Sequence, residues 1–168
     1  MDDINAMAVS MLPRPAIDPP VIARAVTPER LAFLEAALSR HVGPEVRGDL
    51  QGIVDSYSEG GHLKFNGEVY DTPERLLAFH LAMGFDREHG VLRGLGAEIT
   101  HVSYTYDSVI VEYAMFGTTA VELAGAPAGR EIKFPSCGVY QFDDGGRLIS
   151  ERIYLDTGCW LPTPIFRP

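Results

Sequence analysis

The chain has 168 residues, 46% of them hydrophobic and 22% charged, with 14 Lys plus Arg against 23 Asp plus Glu and a formal net charge of −9. That length and balance suit one globular domain with an apolar core and exclude a disordered or fibrous chain. An acidic surface repels phosphate backbones and anionic lipid, so neither nucleic acid nor a membrane is an expected partner, and no apolar run is long enough to span a bilayer. Met1-Asp2-Asp3 lacks the basic and apolar segments of a secretion signal, and Cys137 and Cys159 make no disulfide framework. A cytoplasmic location is expected.

Residues 1–26 contain Pro13, Pro15, Pro19 and Pro20, which forbid a continuous helix and predict an irregular, Pro-rich arm. A single domain over residues 27–168 then opens at Thr27-Pro28-Glu29-Arg30, where Thr suits an N-cap and Pro the first helical position. Apolar spacing predicts a helix from about Pro28 to Arg40 on Leu31, Leu34 and Leu38. A second runs from about Glu45 to Tyr57, with Val46, Leu50, Ile53, Val54 and Tyr57 as its core stripe. His62 to Phe65 with Asn66-Gly67 reads as a short strand and turn. Thr72-Pro73-Glu74-Arg75 repeats the helix-start signal, and a third helix to about Glu88 carries Leu76, Phe79, His80 and Met83.

After Gly96 the period changes to two. Strands are predicted over Glu98–Tyr106, Ser108–Thr118, Glu131–Phe142 and Arg147–Asp156, separated by turn signals. Three helices followed by an antiparallel meander define an α+β domain. A turn on Asp144-Gly145 pairs Phe142 with Arg147. Alternation then puts Phe134, Tyr140, Phe142, Ile149, Glu151, Ile153 and Leu155 on one face, and Lys133, Val139, Gln141, Ser150, Arg152, Tyr154 and Asp156 on the other. The first face is the more apolar and should meet the helices, which makes Glu151 a carboxylate among aliphatics. Its bland reading is an ion pair with Arg130 or Arg152; its functional reading is a general acid or base raised by desolvation.

No P-loop, HExxH helix or Gly-x-Ser-x-Gly elbow occurs, and the five histidines lack paired metal spacing, so no cofactor and no metal are expected. Ser136-Cys137-Gly138 lies inside a strand, where Cys137 reads as a packed thiol.

Gly117-Thr118-Thr119, then Gly125-Ala126-Pro127-Ala128-Gly129-Arg130, then Phe142-Asp143-Asp144-Gly145, then Glu151-Arg152-Ile153-Tyr154-Leu155-Asp156 resemble the SnoaL-like polyketide-cyclase and ester-cyclase family. That family belongs to the nuclear-transport-factor-2-like superfamily, with ketosteroid isomerases and limonene epoxide hydrolase. The resemblance implies a cone-shaped curved sheet wrapped around helices, and it puts the family's acid/base aspartate on Asp156. Alternation places Asp156 opposite the apolar face, so that role needs a bulge or a strand-end twist. The two carboxylates of ketosteroid isomerases are absent, their places being taken by Lys64-Phe65-Asn66 and Gly138-Val139.

The expected function is cofactor-independent acid/base chemistry (cyclisation, isomerisation or hydrolysis) on a hydrophobic, carbonyl-containing or polyketide-like small molecule. Asp156, Glu151 and His80 are the candidate catalytic residues. Tyr57, Tyr113, Tyr140, Phe65 and Leu155 are the candidate lining of an apolar pocket. The alternative is a non-catalytic ligand-binding or dimerisation module of the same fold. A homodimer is expected through the outer sheet face, where Cys137, Val139 and Tyr154 are too apolar for free solvation.

Overall fold

The computed structural model describes residues 24–123 and 125–156. The arm before residue 24, Cys159 and the tail after Asp156 lie outside them. Helix α1 spans Pro28–Arg47, with the Thr27 hydroxyl accepting from Arg30 N at 3.2 Å. It continues past the expected end at Arg40, through Pro44, and stops at Gly48, which adopts a left-handed φ of 75°. Proline's missing N–H removes one helix bond, and packing of Leu34, Ala37, His41 and Pro44 into the core offsets that loss. The expected second helix is therefore a short one, α2, Leu50–Asp55, capped by Asp49 accepting from Gly52 N at 2.9 Å. Two expectations are corrected here. Val46 is 65% exposed at the end of α1, and Tyr57 opens strand β1 (Tyr57–Phe65) instead of closing a helix.

Asn66 and Gly67, both at positive φ, form the hairpin turn to β2 (Glu68–Tyr70). Helix α3 (Pro73–Met83) ends five residues before the expected end and is capped by Gly84, where a Cβ would lie 2.2 Å from the Leu92 carbonyl oxygen. Strand β3 (Leu92–Tyr104) starts earlier than predicted and absorbs Arg93-Gly94-Leu95-Gly96. Strands β4 (Ser108–Thr119), β5 (Glu131–Phe142) and β6 (Leu148–Leu155) complete the meander.

The sheet order is β2-β1-β6-β5-β4-β3, antiparallel except that β1 runs parallel to β6, with Leu63 beside Glu151. This parallel insertion is the feature of topology that strand alternation did not predict, since alternation assigns faces and not partners. The sheet is curved and unclosed, with α1 lying on β4 and β5 and the core gathered on the concave side: an α+β cone, as expected.

The β5–β6 hairpin pairs Phe142 with Leu148, not with Arg147, and a bulge sits between that pair and the next. The bulge turns Leu148 into the core and leaves Ile149 42% exposed, against the expected inward Ile149. Beyond it the predicted faces hold: Phe134, Tyr140, Phe142, Glu151 and Ile153 are buried, and Tyr154 and Asp156 are exposed. Asp143 Oδ1 accepts from Gly145 N and Arg147 N, and Arg40 donates to the Gly145 carbonyl at 2.8 Å, so the turn is clamped onto α1.

Gly138 lies under the Tyr140 ring; a Cβ there would come 2.6 Å from the nearest ring carbon. Gly138→Ala should push that ring aside and destabilise the fold by about 1–3 kcal/mol, the usual cost of overpacking. Urea unfolding measures it, and an unchanged midpoint would show that the ring moves freely.

Candidate functional site

Three elements converge on one carboxylate. Glu151, 3% exposed, points inward from the middle of β6. The Tyr57 hydroxyl, delivered by the start of β1, donates a short hydrogen bond to Glu151 Oε2. His41 follows Leu34 and Ala37 on the buried stripe of α1 and brings Nε2 to 3.4 Å from the same oxygen. Glu45, one turn further along α1, stands 3.6 Å from His41 Nε2 with 16% of its side chain exposed. The Tyr57 ring meets His41 edge-on at 5.4 Å, and the Tyr140 ring lies 6.0 Å from it. Instead of Arg130 or Arg152, Glu151 is thus partnered by an imidazole and a phenol. Arg152 turns to the opposite face and donates to Gln141 Oε1 and Ser150 Oγ.

The environment sets the protonation of each group. Burial opposes the Glu151 charge, but His41, His80 and the Tyr57 hydrogen bond outweigh it and hold the carboxyl below its ordinary value. Burial also opposes a charged His41, and the Glu151 and Glu45 carboxylates reverse this, raising its pKa. Glu45 is pushed up to about 7, by burial first and by the Glu151 charge after it, against the pull of His41. Burial drives the Tyr57 and Tyr140 hydroxyls well above the ordinary phenol value, so both stay protonated. The cluster thus sets the Glu151 carboxylate against a His41 ring whose charged form the two carboxylates favour, with Glu45 titrating near 7 and both phenols kept protonated.

The remaining candidates fall in different places. His80 is buried in α3, its Nδ1–H donating to the Leu76 carbonyl at 2.7 Å; burial lowers its pKa, although Glu151 is close enough to pull the other way. Phe65 packs on Phe79 at 4.9 Å, beside Ile153 of β6. Tyr113 is buried and meets the Tyr140 hydroxyl with its own. Tyr113 also lines an open groove of about 440 Å³ with Glu112, Cys137, Tyr154, Leu155 and Asp156, which opens on the outer face at the end of β6. Asp156 is exposed at the end of β6, its backbone N–H bonded to the Pro135 carbonyl, and the bulge in β6 lies at the other end of the strand. The structure therefore separates the two expected carboxylates: Glu151 in the core, Asp156 at the groove.

His41 and Glu45 were not among the sequence candidates. The signal was present, since His41 continues the 34–37–41 helical stripe and stands four residues before Glu45, but ending the helix at Arg40 hid it.

No family model matches the sequence, and no curated protein matches it. Solved structures do. A protein described as a SnoaL-like polyketide cyclase from Jannaschia sp. CCS1 superposes with a TM-score of 0.63 at 16% identity, over 79% of this chain and 91% of that one. One described as a polyketide cyclase from Silicibacter sp. TM1040 gives 0.59 at 19% identity, over 76% and 92%. The epoxide hydrolase/cyclase-like enzyme of pyran ring formation in salinomycin gives 0.61 at 16%, over 76% and 93%. At these identities the likeness is one of fold: the chain has the SnoaL-like, nuclear-transport-factor-2-like architecture that the sequence motifs implied. No helix among the described residues is long and apolar enough to cross a membrane.

The cluster makes stability depend on pH. Folding raises the proton affinity of Glu45, so its contribution is complete below the ordinary value of 4.5 and is lost as pH climbs towards about 7. His41, also raised, stabilises below its ordinary value of 6.5 and loses that contribution above it. Glu151 acts oppositely, stabilising above 4.5 and losing this only as pH falls further. With EDTA present, Tm should therefore decline from about pH 4.5 to about pH 7 and keep declining above it as His41 loses its proton, and Glu45→Gln should flatten the decline below about pH 7. Scanning calorimetry across that range checks it; equal slopes for the two proteins would contradict the assignment to Glu45.

Proposed function

We propose that the protein is a small-molecule enzyme that moves a proton at the α-carbon of a hydrophobic, carbonyl-containing substrate, with Glu151 as the base. The observation that supports this is a buried carboxylate held between a phenol and an imidazole. Such a carboxylate stays ionised near neutral pH and can accept a proton. The Tyr140 hydroxyl, which burial keeps protonated, can turn to donate to the enolate oxygen that forms, while the Tyr57 hydroxyl stays on Glu151 and orients it. The groove beside Tyr113 supplies apolar and aromatic surface for the substrate, and Tyr113 connects it to Tyr140. Enolisation of this kind leads to aldol cyclisation or to isomerisation, in keeping with neighbours described as polyketide cyclases. His80, hydrogen-bonded to its own helix, is assigned to positioning and not to proton transfer.

A second reading takes Asp156 as the acid/base group, supported by its place on the groove rim with Tyr113 and Leu155. Deuterium exchange at the α-carbon of a bicyclic aryl ketone, followed by proton NMR in D2O, separates the two. Glu151→Gln should slow exchange by ~10²–10⁴-fold while thermal shift by the same ketone persists, and Asp156→Asn should leave exchange unchanged. The reverse pattern moves the base to Asp156. Binding with no exchange by the unsubstituted protein makes this a ligand-binding module.

We also propose a homodimer through the convex face. Cys137 lies half-buried there beside Tyr154, which is 48% exposed, with Val139 further along the same face, so the groove that Cys137 and Tyr154 line opens at this interface. Sedimentation velocity at micromolar concentration should give a dimer, and Tyr154→Lys should shift it to monomer; a monomer throughout would end the proposal.

A further inference from the structure

Ser56 has one hydroxyl proton, and it goes to the Ile53 carbonyl at 2.5 Å. His41 Nδ1, 2.8 Å from Ser56 Oγ, therefore carries its own proton and donates it there. That leaves Nε2, on a side chain 1% exposed, facing Glu151 Oε2 at 3.4 Å and Glu45 Oε1 at 3.6 Å. Among the described residues it is the buried side-chain nitrogen or oxygen with no hydrogen-bond partner. In a neutral ring Nε2 is a lone pair opposed to oxygen lone pairs, an arrangement that a proton or a metal cation between them relieves.

The spacing suits a cation larger than a proton. Ligand atoms held about 2.0–2.2 Å from a tetrahedral zinc ion lie roughly 3.4 Å from one another, close to both His41 separations. The three donors fall within 4.8 Å of each other, and Glu45, partly exposed on the last turn of α1, has the freedom to close what remains. The chain from Nδ1–H to Ser56 and on to Ile53 is the outer support that fixes the ring of a metal-binding histidine, and the Tyr57 hydrogen bond does the same for Glu151.

We propose that His41 Nε2, Glu45 and Glu151 bind one divalent transition-metal cation, of the zinc or manganese type. One imidazole nitrogen with two carboxylates favours these ions over soft copper(I), and three protein ligands leave a position for water or a substrate oxygen. The site shares Glu151 with the acid/base reading but does not depend on that activity. Cation binding displaces the proton that otherwise occupies Nε2.

Metal-free protein, prepared by dialysis against EDTA, should take up one equivalent of zinc chloride in calorimetry, and more tightly as pH rises because ligand protons are released. Glu45→Gln should weaken uptake by ~10-fold or more, and His41→Ala should abolish it. Should His41→Ala not fold, Glu45→Gln, at a partly exposed helix end, carries the test. Uptake below one equivalent, or equal affinity in Glu45→Gln, overturns the site and leaves a proton as the sole occupant. Ketone exchange in EDTA keeps the two readings apart: exchange without zinc uptake ends the metal site alone, and zinc uptake without exchange ends the acid/base reading alone.

Discussion

A carboxylate removed from water must find its charge balance inside the protein, and Glu151 dictates where. Desolvating an ion costs several kcal/mol even after the protein relaxes, and losing one partner of such a buried pair costs about 3–5 kcal/mol. The structure meets that demand from three directions: α1 supplies His41, β1 supplies Tyr57, and β6 carries Glu151 itself. The long run of α1 through Pro44, the parallel seat of β1 beside β6, and the bulge that sets the register of β6 all serve the same meeting point. A chain that buried a leucine at position 151 would not need them in this arrangement.

The faces of β6 divide the chemistry. Glu151 and Ile153 look into the cone, while Arg152 and Tyr154 look out, and Asp156 stands at the strand end where the groove begins. The two carboxylates stand in unlike surroundings: Glu151 is buried against His41 and Tyr57, and Asp156 is exposed at the strand end. Tyr113 joins the two regions, because its ring lines the groove and its hydroxyl meets Tyr140 over the buried cluster.

Much of the fold was legible in the sequence because period-two alternation is strong in β4, β5 and β6, and Thr-Pro-Glu-Arg marks two helix starts. The inward Glu151 followed from alternation alone. What was hidden is physical in origin. Pro44 resembles a helix stop, yet burial of His41 and Pro44 carries α1 past it. Tyr57 fits the helical stripe of Ile53 and Val54, but helix α2 ends at Asp55 and the chain turns into a strand at Tyr57. Pairing of β1 with β6 joins segments far apart in sequence, which no local pattern encodes. The two residues missed at the site, His41 and Glu45, lie in the stretch of helix that Pro44 concealed.

The clamp from Arg40 to the Gly145 turn and the bond from Tyr57 to Glu151 span 105 and 94 residues. Contacts of that length form late, because the loop-closure entropy must be met before they return any stabilisation. During synthesis His41 and Tyr57 leave the ribosome well before the strand that carries Glu151, so the early chain holds an imidazole and a phenol with nothing to answer. The cluster is thus not a property of any fragment that lacks β6: imidazole and phenol meet their carboxylate only when the closing strand is in place.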